Sequence, residues 1–436
     1  MTICNKVKYK IPGLSHKPIE VNFDGGDITS DAGFLLLERA DNHIGLLKKV
    51  ATLIGDYRKT GQGTFSILNL LRQRIYSIAL GYEDLNDHDT LRNDLALQSI
   101  LATENPLASR TTLWRLEQAA NRKTAFNIHQ MLVEHFINSF TEQPKELILD
   151  FDATDDLVHG KQEGAFFHGF YGNYCFLPLY VFCNNKLLVS YLRPSNQDGA
   201  KHTWAILSLL VKRLRKAWPS VRIIFRGDSG FCRHQMFNWC ECHNVYYITG
   251  LAQNARLRNM AKSWIDQAEA NYNQSQINQR IFGELTYAAK TWKRKRRVIA
   301  KTDHSNKGSN PRFIVTNLSG DPKALYEKLY CARADMENRI KEQQLDLFAD
   351  RTSCKKWWSN QFRLLLASLA YVLIETIRCA AAKTQFEHAQ TRTIRIKLLK
   401  IGAIILRNTR RIRFCLSSAY PYQAAFLIVL KRLVPI

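Results

Sequence analysis

Apolar and polar positions change their period once along this chain of 436 residues, near residue 146. Before that point apolar residues recur every three or four positions, the spacing of one helix face. DAGFLLLERADNHIGLLKKVATLI predicts a helix capped by Ser30 or Asp31. FSILNLLRQRIYSIALG predicts a second, stopped by Gly81, and HDTLRNDLALQSILA a third. Pro106 interrupts, and Ser109 is placed to cap a run from Arg110 to Ser139. Residues 1–28 read as an extended lead-in with turns at Pro12-Gly13 and Gly25-Gly26.

Beyond residue 146 short apolar runs take over. LILDFD reads as a buried strand ending in acids, and YCFLPLYVFC (174–183) with KLLVSYLRP (186–194) as a hairpin about Asn184-Asn185. HTWAILSLLVKRLRKAW (202–218) has helical period with a basic outer face. VRIIFRGD (221–228) is a strand, RHQMFNWCECHN a helix and VYYITGL a strand. Three strands, helix, strand, helix, strand, with acids ending the first and fourth strands, is the order of a ribonuclease H-like sheet. Residues 252–320 break the rhythm with a polar segment, the basic run KRKRR at 293–297, and the strand-like RVIAKTD and RFIVTNL, which together predict a β-rich insertion. A helix resumes near Lys323. It carries Tyr330, Arg333, Glu337, Lys341 and Gln344, and α-helical spacing puts all five on one face. An amphipathic helix, NQFRLLLASLAYVLIETIR, follows, and RNTRRIRFCLSS alternates like an exposed basic strand.

The expected class is therefore α/β, with four consecutive regions. These are a helical domain at 1–140, a ribonuclease H-like domain at 145–250 and 321–350, the β-rich insertion at 251–320, and a basic region at 351–436.

Charge narrows the partners. The net charge is +24 and the pI near 9.7, a balance that points to a polyanion. Residues 355–436 hold 15 Lys and Arg against Glu375 and Glu387, an excess of +13. The longest apolar run, LLLASLAYVLI at 364–374, is too short to span a bilayer, so a membrane partner is not expected. No apolar leader opens MTICNKVKYK, and ten scattered cysteines read as reduced thiols of a cytoplasmic protein.

Candidate chemistry centres on LILDFDATDDLVHG (147–160), which packs Asp150, Asp152, Asp155 and Asp156 into seven positions. Carboxylates crowded at the end of a buried strand need a cation or a basic partner; the plain alternative is an Asp-rich turn. Asp228 ends a second strand and Glu337 lies on the late helix. Such a trio could hold Mg²⁺, which takes carboxylate and phosphate oxygens. In a basic protein this suggests phosphodiester chemistry on nucleic acid. The bland reading of Glu337 is a helix salt bridge with Arg333 and Lys341.

Other signals are weaker. The helices either side of Pro106 resemble a helix-turn-helix whose second member would present Arg110, Thr111, Thr112, Trp114 and Arg115 to DNA. Trp292 is a candidate for stacking on a flipped base, with a core-edge role as its alternative. His159 and His168 flank the first acid, as DNA contacts or as turn residues. Cys232, Cys240, Cys242 and His243 fit no zinc spacing, and Gly227-Asp228-Ser229-Gly230 is too short a match to carry a serine-protease reading.

DATDDLVHG, FRGDSGF and YCARADMENRIKE resemble the three acidic motifs of DDE transposases of bacterial insertion sequences. The spacing Tyr330, two residues, Arg333, three residues, Glu337 resembles that family's Tyr-Arg-Glu signature. GYEDLNDHDTLRND, LASRTTLWRLE, PRFIVTNL and DRTSC look like the branch called the 1380 group. The resemblance covers nearly the whole chain. It implies Asp152, Asp228 and Glu337 as catalytic metal ligands, with Asp150 the less favoured first acid. It also implies Mg²⁺ with Mn²⁺ as substitute, double-stranded DNA as transposon ends and target, and a homodimer or higher multimer at the nucleoid. Cleavage and strand transfer would occur at terminal inverted repeats. Tyr330, Arg333, Lys341, Arg110, Arg115, Trp292, Arg410, Arg411 and Arg413 are the expected DNA contacts. A structure-specific nuclease and an inactive DNA-binding relative are the alternatives. The signature's Lys, after six further residues beyond the Glu, is replaced here by Gln344. A Lys there would hold phosphate as a point charge, and Lys341 is placed to share that role.

Overall fold

The computed structural model describes residues 9–11, 17, 19–58 and 63–434. The turn expected at Pro12-Gly13 lies outside them. The chain divides into two compact units, one of Met1–Leu47, Arg58–Leu116 and Thr376–Ile436, the other of Lys48–Tyr57 and Glu117–Glu375. Segments from both halves of the chain thus fall in one unit.

The larger unit is built on an eight-stranded mixed sheet. Its strands are β1 (Glu146–Ala153), β2 (Leu179–Cys183), β3 (Lys186–Tyr191), β4 (Arg222–Gly227), β5 (Tyr246–Leu251), β6 (Gln279–Tyr287), β7 (Arg296–Ser305) and β8 (Gly308–Thr316). Their spatial order is β6-β7-β8-β5-β4-β1-β2-β3. The neighbours β1, β4 and β5 are parallel, and the other pairs antiparallel. The strands expected as an insertion extend this sheet, because β8 pairs along β5 from Ile248↔Thr316 to Leu251↔Phe313. The polar stretch before them forms helices Ala255–Met260 and Lys262–Ser275, the first capped by Asn254.

Period-two alternation sends β1 to two different surroundings. Leu147, Leu149 and Phe151 join Ile223 and Phe225 in a core covered by helices Thr203–Ala217 and His234–Cys242. Ile148, Ile224, Ile248, Ile299 and Ile314 face the opposite way, under Tyr326, Leu329 and Tyr330. Asp150 and Asp152 share the face of Ile148. The expected hairpin strand at 174–183 is two strands in two sheets. Pro178 has no N–H to continue a ladder, so Asn173–Phe176 pairs instead with Asp156–Leu157 and Phe166–His168.

The late helix also departs from the regular one expected. Residues 322–346 pass through an α-turn (Pro322–Ala324), wide π turns (Leu325–Tyr330), a 3₁₀ turn (Cys331–Arg333), an α-helix (Ala334–Lys341) and π turns again (Glu342–Asp346). Each change of pitch rotates the face, so the five-residue stripe does not survive intact.

The first predicted helix is broken by Gly45, at φ 62°, into Phe34–Ile44, in the smaller unit, and Leu46–Ile54, most of which belongs to the larger. Its start is not capped by the Ser30 or Asp31 side chain. Asp31 is buried and instead accepts from the Tyr82 hydroxyl at 2.6 Å and pairs with Lys400 at 2.7 Å. The run from Arg110 splits into Arg110–Gln118 and Arg122–Asn138, the second capped by Asn121. Ile28–Thr29, Ala403–Arg407 and Ile412–Leu416 form a small antiparallel sheet that joins the two ends of the chain.

Candidate active site

Asp152 sits at the end of β1, where the strand leaves the core, opposite Tyr180 of β2. Asp228 follows β4 directly. Its carboxylate accepts the N–H of Gly230 at 2.8 Å and caps the turn Ser229–Phe231. Because β1 and β4 are parallel neighbours, these two acids emerge at the same edge. Glu337 lies in the helix Ala334–Lys341, and Arg333 links it to the strand. The Arg333 guanidinium donates to Asp152 Oδ2 at 3.1 Å and pairs with Glu337 Oε1 at 2.6 Å. The Asp152 side chain is 15% exposed, and that of Glu337 42%. Burial pushes the Asp152 carboxyl up to about 7; Arg333 opposes this, and the charges of Asp228 and Glu337 add to it.

Asp150 has a different occupation. It is buried beside Arg226, its register partner on β4, in a two-pronged pair whose Nη2–Oδ2 contact is 2.6 Å. Arg226 also donates to the Leu329 carbonyl in the π turns. The pair ties β1, β4 and the late helix together below the acids.

Tyr330 reaches the same edge. A Cβ on Gly250 would lie 2.7 Å from the Tyr330 hydroxyl and 2.8 Å from the Ser229 nitrogen, so only glycine allows both to approach β5 there. Gly250 was missed in the sequence, although an interior strand glycine in VYYITGL signals such an approach. Tyr171 was missed as well. Burial raises its hydroxyl to about 12, with the charges of Asp155, Asp152 and Asp228 contributing.

The other expected site residues are dispersed. Lys341 is exposed at the end of its helix. Gln344 turns inward and donates to the Asp155 carbonyl and to Asp156 Oδ1, both at 3.0 Å. Arg110 pairs with Asp89 at 3.4 Å and donates to Asn86, while Arg115 and Trp114 are exposed. Trp292 meets Phe237 and Tyr287 edge-on, each at 5.7 Å, and packs against the core. Arg410, Arg411 and Arg413 are exposed at the tip of the hairpin Ala403–Leu416. Cys240 is buried in the core and His243 stacks on Trp239 at 4.4 Å, as structural residues do. Among the described residues no group of three or more His, Cys, Asp or Glu side chains closes round a common metal position. Arg333 is the link between the acids in this arrangement.

Residues 11–436 match the family described as transposase DDE domain, group 1. The chain belongs to that transposase family. Membership implies an enzyme that cleaves and transfers DNA, in a family that generally uses divalent metal ions. A piggyBac transposase synaptic complex with hairpin DNA, solved by cryo-EM, is similar at TM-score 0.42 and 11% identity, covering 84% of this chain and 80% of that one. No curated protein matches. Among the described residues of this transposase family member, no helix is long and apolar enough to cross a membrane.

Proposed function

We propose that the chain cleaves DNA at the terminal inverted repeats of an insertion sequence and joins the ends to target DNA. In this reading Asp152, Asp228 and Glu337 hold Mg²⁺ or Mn²⁺, and the protein works as a dimer or higher multimer at the nucleoid. The observation that carries the reading is the Arg333 bridge between Asp152 and Glu337 beside Asp228. Two carboxylates bridged by one displaceable cation, with Asp228 beside them, offer the oxygen donors a small hard dication takes. Bound by these carboxylates, such ions would supply activation of the attacking oxygen and stabilisation of the leaving one. Arg333 then passes from carboxylate to phosphate, which its planar fork can hold in two-pronged fashion. Tyr330 brings its hydroxyl over Gly250, where the turn that follows Asp228 also approaches β5.

The strand order β3-β2-β1-β4-β5, with only β2 running against the rest, supports a ribonuclease H-like catalytic sheet. We read Lys341, Arg110, Arg115, Arg410, Arg411 and Arg413 as phosphate contacts.

Asp152→Ala, Asp228→Ala and Glu337→Ala should each abolish Mg²⁺-dependent cleavage of end-containing duplexes while leaving gel-shift binding within a few-fold. Near-normal cleavage by any one removes that residue from the metal set. Cleavage without strand joining by the natural chain would make it a nuclease.

A further inference from the structure

Aromatic side chains normally gain by leaving water, yet one hairpin after the first acid keeps four of them outside. Phe166, Phe167, Phe170 and Tyr174 are all exposed, Phe170 to 86%. The hairpin is firmly rooted. Cys175 and Phe176 are buried, the Phe176 ring meets Trp357 at 5.5 Å, and the Ser195 hydroxyl donates to the Phe166 carbonyl at 2.8 Å. Its turn closes through the Gly172 N–H to the His168 carbonyl at 2.8 Å, with Gly172 at φ 70°. That turn holds Phe170 at the tip, its ring 5.0 Å from that of Tyr171. Phe167 and Tyr174 are register partners, so their rings share one face, 5.7 Å apart.

Residues 164–176 contain no acidic side chain. Exposed Lys161, Lys355 and Lys356 flank the root, where the Glu163 N–H donates to the Lys355 carbonyl. Rings at the tip with ammonium groups at the neck suit a ligand that has flat apolar faces joined by phosphates.

We propose that the hairpin Phe166–Tyr174 is a base-stacking platform for unpaired nucleobases of the DNA strand held at Asp152, Asp228 and Glu337. The inference rests on the transposase reading of that site and adds a binding surface to it. Stacking on Phe167, Phe170 and Tyr174 would be tolerant of sequence, since every base offers a π face. The lysines would take the adjoining phosphates.

The test uses the full chain and two fluorescein-labelled duplexes of equal paired length, one blunt and one with a five-nucleotide single-stranded tail carrying 2-aminopurine. The natural chain should prefer the tailed duplex and quench the 2-aminopurine. Phe167→Ala/Phe170→Ala/Tyr174→Ala should lose that preference by about tenfold, leave blunt binding unchanged, and remove the quenching. Phe170→Trp should retain both. The mutated rings are exposed, and an unchanged Tm verifies the fold. Retained preference and quenching in the triple variant overturn the inference. So does a triple variant that becomes monomeric in light scattering yet keeps its tail preference, which would make the surface a contact between copies of the chain. Mg²⁺-dependent cleavage by the natural chain is scored in parallel. If it fails while the triple variant still loses tail binding, the transposase reading falls and the stacking surface stands.

Discussion

Two carboxylates on one strand face, two residues apart, have opposite fates. Asp150 has an arginine register partner one strand away, and Asp152 lies beyond the end of that pairing, where Arg333 reaches it from a helix. Removing one partner of a buried pair leaves an uncompensated charge, costing roughly 3–5 kcal/mol. Arg226→Ala should therefore lower the unfolding free energy by about that amount, and Asp150→Ala similarly. Asp152→Ala should cost little stability and remove cleavage instead. Urea melts beside cleavage assays separate the two acids; a stable, inactive Asp150→Ala would reverse their roles. Both acids were visible in the sequence as a pair on one face. The motif resemblance favoured Asp152, but the pair that immobilises Asp150 was not legible, because its partner is 76 residues away.

At the scale of the element, the π turns at Glu342–Asp346 decide what Gln344 does. A regular helix would have carried it along the face of Glu337. The wider turns direct its amide to Asp155 and Asp156, so it fastens the helix to the segment after β1. Asp156 is fully buried and its carboxyl is raised well above the ordinary range, by burial first, with Asp350 and Asp155 adding and the Gln344 bond opposing. The folded state thus keeps a proton that the unfolded chain releases, and stability falls as pH rises above the usual carboxylate range. Asp156→Asn has no proton to lose. It should raise Tm at pH 8, with the gain shrinking toward pH 4; a gain that does not change with pH would mean Asp156 is ionised in the fold. Gln344→Lys should place its ammonium against Asp156 and leave the salt dependence of DNA binding unchanged. A steeper dependence would restore the phosphate-binding role that regular spacing suggested.

At the scale of the molecule, the basic C-terminal region is divided between inward and outward duties. Arg395 donates to the Ala79 carbonyl and Arg432 to the Ala380 carbonyl. Arg410, Arg411 and Arg413 project from a hairpin tip that Asn408 shapes by accepting the N–H groups of Arg410 and Arg411. Neutralising those three together should weaken binding to specific and random DNA alike and flatten the slope of log affinity against log salt by about 0.9 per lost contact. Fluorescence anisotropy at several salt concentrations measures both, and an unchanged slope would turn the hairpin away from DNA. Apart from the separate three-stranded sheet between β1 and β2, the sequence by itself determined the run of strands and helices from β1 to β5, since period-two and helical patterns are local properties of the chain. It also made the three candidate acids legible, since their motifs are contiguous, and the excess of positive charge. The tertiary structure alone decided that the segment after β5 extends the main sheet, because strand pairing is set by neighbours distant in sequence. It alone decided that the two ends of the chain fold together, through pairing such as Ala403↔Thr29. The change of pitch along the late helix was likewise invisible in residue spacing. It arises where the helix must meet Arg226, Asp156 and the sheet at once, and it selects Arg333 and Glu337 for the acid edge while turning Gln344 inward.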